Sequence, residues 1–198
     1  MTYLPDATAS VNRQGQIHGR GTWQTACGKR QGDIEPLPLS ELEQKGDEEL
    51  VLRFFALKNA EEDFQGSVRD WLDNYMEVIL LGSASFHYEA ESVAFKEVFD
   101  YLAEVLGAGS FVRYRGDQPV GGLAPAYFEA VTVGVLRMLP DIRRVHADTV
   151  RGAIVAAVQS DDFRSNTGPA ANTKAKLHRR VEIITESLMA LARTEKQQ

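Results

Sequence analysis

The stretch "ELVLRFFAL", Glu49 to Leu57, constrains the fold more than any other part of the chain. It sets six large apolar side chains around one arginine, Arg53. A helix lying on a protein surface carries an apolar stripe, whereas one that is apolar nearly all round is a central helix. Glu49 and Arg53 stand one helical turn apart with the acid N-terminal to the base, the favourable order for a helical ion pair. Two readings of Arg53 follow. It emerges from the lobe and pairs with Glu49, or it faces a partner domain or a phosphate. Phe54 and Phe55 stand beside it as candidate partner-domain contacts.

Helical periodicity continues downstream. After a first helix over about Asp47 to Asn59, "GSVRDWLDNYMEVILLGS" has Ser67 as its N-cap and Asp70 in its first turn. Val68, Trp71, Leu72, Tyr75, Met76, Ile79 and Leu80 recur at three- and four-residue steps and predict one buried face, ended by Gly82. A third helix, about Glu89 to Leu106, carries Phe95, Val98, Phe99, Leu102, Val105 and Leu106 and stops at Gly107. A loop follows, with a short extended piece over Phe111 to Tyr114. A fourth helix runs from Pro125 to Leu139, with Pro140 closing it. Asp148 caps a fifth helix to about Gln159, and "SDDFRSNTGPAANT" reads as a turn-rich loop. In the last helix, about Thr173 to Arg193, Leu177, Val181, Ile184, Leu188 and Leu191 form a packing seam. The expectation is an all-α, irregular bundle of about six helices over residues 40–198.

Residues 1–39 differ in kind. "NRQGQIHGRGTWQTACGKRQGD" is rich in glycine and polar residues and has no helical or strand period. It reads as a flexible or poorly packed extension. Pro36 and Pro38 favour extended backbone, and Ser40 with Glu43 has capping-box spacing.

The single cysteine, Cys27, cannot form an internal disulfide, and a reducing cytoplasm is the simple reading. There is no secretory signal pattern, and no apolar run approaches the roughly 20 residues needed to cross a bilayer. The net charge of −6 is unevenly spread. Residues 1–106 hold 9 Lys and Arg against 19 Asp and Glu, and residues 107–198 hold 13 against 9. The acidic total argues against non-specific coating of nucleic acid, while the basic second half allows a local contact. Arg113 and Arg115 flank Tyr114, and Arg164, Lys174, Lys176, Arg179 and Arg180 cluster near the last helix. These seven are the candidate nucleic-acid contacts, with solvated helix faces as the competing explanation.

Other chemistry is weakly represented. His87, Glu89 and Glu91 form a His-x-Glu string without the Pro-Cys-x-x-Cys partner of zinc deaminases. His18, His146 and His178 have no metal-ligand spacing. Asp161 and Asp162 read as turn chemistry, and Cys27 has no evident base. P-loop, Rossmann and nucleophile-elbow strings are absent. No catalytic, metal-binding or cofactor-binding residue is assigned, and no cofactor is expected.

"EELVLRFFALKN" and "GSVRDWLDNYM" resemble the helical region of the GmrSD-like, ParB-type nuclease family of bacterial restriction and phage-defence systems. "FEAVTVGVLRML" and "SDDFRSNTGPAANTKAKLHRRVEIITESL" resemble later segments of that region, in the same order. The likeness covers about Asp47 to Arg193, and the arginine-phenylalanine-phenylalanine helix is its most specific part. In the family, nuclease chemistry belongs to an N-terminal ParB-like domain with an Asp-Gly-Gln-Gln-Arg motif. That motif is not in this chain, so no catalytic residue carries over. The resemblance implies a non-catalytic helical lobe that works with a ParB-like catalytic domain in trans, or a truncated relative, with DNA as a candidate partner. It also implies that the absent domain would cover part of the first helix. The alternative is a free-standing nucleic-acid-binding or adaptor module.

Overall fold

The structure is a computed structural model that describes residues 46–168 and 170–195. It also describes the backbone of two short paired strands, β1 (Ser10–Val11) and β2 (Ile17–His18). The expected flexible extension over residues 1–39 and the capping box at Ser40 otherwise lie outside the described residues. The rest is helical: α1 (Gly46–Ala60), α2 (Val68–Leu80), α3 (Tyr88–Val105), α4 (Pro125–Ile142), α5 (Ala147–Gln159), α6 (Asp161–Ser165) and α7 (Lys174–Glu195). Between α3 and α4 lies an antiparallel hairpin, β3 (Arg113–Arg115) and β4 (Gln118–Val120), with Tyr114 opposite Pro119.

The expected all-α class holds, with three local corrections. Pro140 does not end α4, which continues to Ile142. It stands in the last turn, on the exposed side, where a missing donor disturbs few remaining bonds. The turn-rich string contains a seventh helix, α6, because the Ser160 hydroxyl accepts the Phe163 N–H at 3.1 Å and Phe163 anchors the turn in the core. At the start of α5 the capping side chain is His146, whose Nδ1 accepts from the Asp148 N–H at 3.3 Å.

Helix α1 is central, as its composition requires. Phe54, Ala56 and Leu57 are at most 1% exposed, and Val51, Leu52 and Phe55 are half-buried. Phe54 meets Phe95 edge-on at 5.2 Å, and Phe95 stacks on Phe99 at 4.2 Å. Phe55 lies against Phe86 and Phe95. Leu50, Phe54, Ala56 and Leu57 are covered by this chain, so Phe54 has no surface to offer a partner, while Val51, Leu52 and Phe55 are covered only in part.

The broadest helix contact is α4 against α7. The α7 seam of Leu177, Val181, Ile184 and Leu188 is wholly buried there, with Leu191 partly so. Gly134 permits the close approach, since a Cβ at that position would lie 2.6 Å from Ile184 Cγ2. The α3 stripe is buried in full as expected, but the α2 stripe is not. Trp71, Leu72 and Tyr75 face the core, while Met76 is 40% and Leu80 82% exposed.

Three tyrosines sit where burial penalises the phenolate. Tyr101 donates to the Ile142 carbonyl at 3.2 Å. Burial, reinforced by the negative charge of Glu104, pushes its pKa up to about 12. Burial also raises Tyr75, against a hydrogen bond from Asn59, and Tyr114, against the nearby Arg151 charge. Because the folded state favours the neutral phenol, the stability these groups contribute is complete below about pH 10, the ordinary tyrosine value. It is lost as pH rises through the folded-state value, about 12 for Tyr101. A phenolate difference titration is therefore expected to show late-titrating tyrosines. The melting temperature should start to fall only above about pH 10. Ordinary titration of all six tyrosines would contradict this packing.

Candidate functional site: a buried arginine–glutamate–arginine cluster

The most heavily charged place in the interior is built from three helices. Arg53 of α1, Glu129 near the start of α4 and Arg180 near the start of α7 converge, with side-chain exposures of 12%, 2% and 1%. Arg53 Nη1 donates to Glu129 Oε1 at 2.5 Å, and Arg180 Nη2 donates to the other oxygen, Oε2. Arg53 also donates from Nε and Nη2 to Glu49 Oε1, at 2.9 and 2.6 Å. Arg180 Nη1 donates to the Ala171 carbonyl at 2.8 Å, which ties the loop before α7 to the cluster. Arg180 Nε is buried without a hydrogen-bond partner.

The arrangement balances two guanidinium groups with one buried and one half-exposed carboxylate. Burial works against the Arg53 charge. Glu129 and Glu49 outweigh it, and the guanidinium is held above its usual pKa. Removing charges from water is costly, and only close opposite charges and satisfied hydrogen bonds offset that cost. Glu129 therefore acts as a clamp with one oxygen on α1 and the other on α7. The Glu49–Arg53 pair expected from spacing is present, and Glu129 is the partner that local spacing did not reveal. A usable signal existed: in "YFEAVTVGVL" a single carboxylate stands in an otherwise apolar run, and a buried acid is rarely left unpaired.

The seven candidate nucleic-acid residues do not form one surface patch. Arg180 is buried in the cluster and cannot track a phosphate backbone. Arg179 points the other way, onto Asp162 at 2.6 and 3.0 Å, with Glu186 at 3.3 Å and Glu182 at 3.5 Å. The Asp162 hydrogen bond leads the effects that hold its pKa above the usual value. Lys174 binds Glu62 at 2.9 Å, and Lys176 is half-buried. Lys174 in turn holds the Glu62 carboxyl below its ordinary value, first by hydrogen bonding and then by charge. Arg113, Arg115 and Arg164 are exposed, the first two projecting to one side of β3 while Tyr114 turns inward. The Tyr114 hydroxyl donates to the Gly109 carbonyl at 2.8 Å.

The other sequence candidates are dispersed. His87 is exposed at the start of α3, Glu89 is exposed, and Glu91 is turned inward onto Lys58 at 2.7 Å. Asp162 serves Arg179 and Asn166. Cys27 lies outside the described residues. Among the described residues no three His, Cys, Asp or Glu side chains form a group able to hold a metal ion. None of the described helices is long and apolar enough to cross a membrane. An apolar hollow of about 10 Å³ lies between Leu50, Phe99 and Phe128. It has room for at most one water. A shallow groove between α3 and α4 is bridged by Arg143 and Glu97 at 2.8 Å.

Comparisons with protein-family models, curated proteins and solved structures return no match. The molecule is thus defined by its own geometry, as an all-α lobe whose first, fourth and last helices are joined by a buried charge clamp.

Proposed function

We propose that this chain is a non-catalytic helical lobe of a ParB-type, GmrSD-like restriction or defence nuclease, acting as a frame for a catalytic half supplied in trans. One observation carries the reading. Each member of the clamp comes from a different segment of the family resemblance: Arg53 from "EELVLRFFALKN", Glu129 from "FEAVTVGVLRML" and Arg180 from "KLHRRVEII". The residues through which the chain resembles the family hold three helices together, which is the work of a framework. Their charged groups face inward, so they do not meet substrate directly.

The test pairs the purified chain with a ParB-like domain that carries the Asp-Gly-Gln-Gln-Arg motif. Co-elution is expected, with Mg²⁺-dependent DNA cleavage or nucleotide hydrolysis by the pair exceeding that of the domain alone. No complex, or mutation-sensitive turnover by this chain alone, would defeat the proposal.

A nucleic-acid-binding or adaptor role is the second reading, favoured by the paired exposure of Arg113 and Arg115. If these arginines contact phosphates, Arg113→Glu with Arg115→Glu should weaken DNA binding and lower the salt slope by about 1–2 units. An unchanged slope would remove them from any interface. Arg180→Ala is unsuitable for this purpose, because it would report on folding.

A further inference from the structure

Leu136, Pro140 and Arg143, at steps of four and three, bring one stripe of α4 toward the surface beside Ala94 and Glu97 of α3. The two stripes bound a groove of about 400 Å³ whose lining is apolar apart from Glu97 and Arg143. Those two meet across it at 2.8 Å, each side chain 48% exposed. Val93, one residue before Ala94 and one turn before Glu97, is 57% exposed. Charges of both signs occupy the flanking turns. Lys96 lies 4.0 Å from Asp100, and Arg144, Glu104 and Asp141 are exposed. Three cations thus stand against four carboxylates, so this face is near neutral on a chain of net charge −6. A nucleic acid or an anionic bilayer finds no field of one sign here. A second copy of the same face meets no net repulsion.

We propose that this groove is the face on which two copies of the chain associate, about a two-fold axis that passes beside the Glu97–Arg143 pair. In a two-fold interface one surface must complement itself. An acid on one bank and a base on the other meet that requirement. Rotation sets Glu97 of each copy against Arg143 of the other, in a ring of four charges whose signs alternate. A carboxylate has acceptor sites for two guanidinium groups, and Glu129 binds two in the interior of this same protein. Exposed ion pairs contribute little by themselves. Affinity would come from the apolar banks and from Val93, and the charges would fix the register. The patch is small, so the association belongs to the weak, transient class. The inference is independent of the nuclease reading.

Sedimentation of the full chain from about 1 to about 200 µM spans micromolar affinity, and the mean mass should rise from one chain toward two. Glu97→Arg surrounds the axis with four cations and Arg143→Glu with four carboxylates. Each variant alone should associate about tenfold more weakly, or less. Mixed in equal amounts, the two should recover the association, because every contact across the axis is then between opposite charges. The chain carrying both substitutions should recover it as well. Recovery on mixing separates a lost interface from a lost fold. Three results would each overturn the proposal. One is a single-chain mass over the whole range. A second is undiminished association of both single variants, which would place the contact elsewhere, the exposed turn at Leu80 and Leu81 being the next apolar surface. The third is weakened variants that stay apart when mixed.

Discussion

Glu129→Ala is expected to be the most damaging single substitution in this lobe. It strips the carboxylate from between Arg53 and Arg180, and leaves a guanidinium that is 1% exposed without its counter-charge. Breaking a buried pair by removing one partner costs about 3–5 kcal/mol. That is a large part of the roughly 5–15 kcal/mol by which a domain is stable. For a chain of this length the melting temperature should fall by about 6–20 °C. Replacing the pair by apolar groups should be gentler than orphaning one charge, because the desolvation cost disappears with the charges. The double variant Glu129→Leu, Arg180→Met is therefore expected to be more stable than Glu129→Ala alone, even though it removes more native contacts. Urea unfolding of the three proteins checks this. If Glu129→Ala costs less than about 1 kcal/mol, the value of a surface pair, the clamp does not exist in solution.

The second large effect is at Gly134. Alanine normally stabilises a helix interior over glycine by about 1 kcal/mol. Here the added methyl would stand 2.6 Å from Ile184 Cγ2, 2.8 Å from Ile184 Cβ and 3.4 Å from the Thr185 nitrogen. Two of those neighbours are fixed to the α7 backbone, so no rotamer change relieves the overlap and the helices must part. Gly134→Ala should destabilise by about 1–3 kcal/mol. Gly152 supplies the control. It lies in α5, where an added Cβ would meet nothing within 4 Å, and Gly152→Ala should stabilise by about 0.5–1 kcal/mol. Equal effects of the two substitutions in thermal melts would contradict the close packing of α4 on α7.

What could be read beforehand depended on how far apart the interacting residues lie. Leu177, Val181, Ile184 and Leu188 announce their burial because helical period is a local property. The same logic over-read α2: Met76 and Leu80 share the stripe of Tyr75 and Ile79, but α2 has packing partners on only part of that stripe. The helix α6 escaped notice because a helix of five residues is too short to show a period, although Ser160 three residues before Phe163 is a capping cue. The basic run at the start of α7 divides between surface and core for a geometric reason. Arg179 and Arg180 are consecutive, hence about 100° apart around a helix. One reaches surface acids and the other enters the core. Glu129 draws its partners from 76 residues upstream and 51 downstream, beyond any spacing rule.

That separation bears on how the protein is made. When Glu129 leaves the ribosome, its second counter-charge has yet to be synthesised, and so has the helix that will lie on Gly134. Growing chains halted in that interval would display the uncovered flank of α4, and quality-control proteases and chaperones should find them readily. Ribosome-bound intermediates ending before Leu177 should accordingly be digested quickly, and resistance should arrive only once α7, Lys174–Glu195, has emerged.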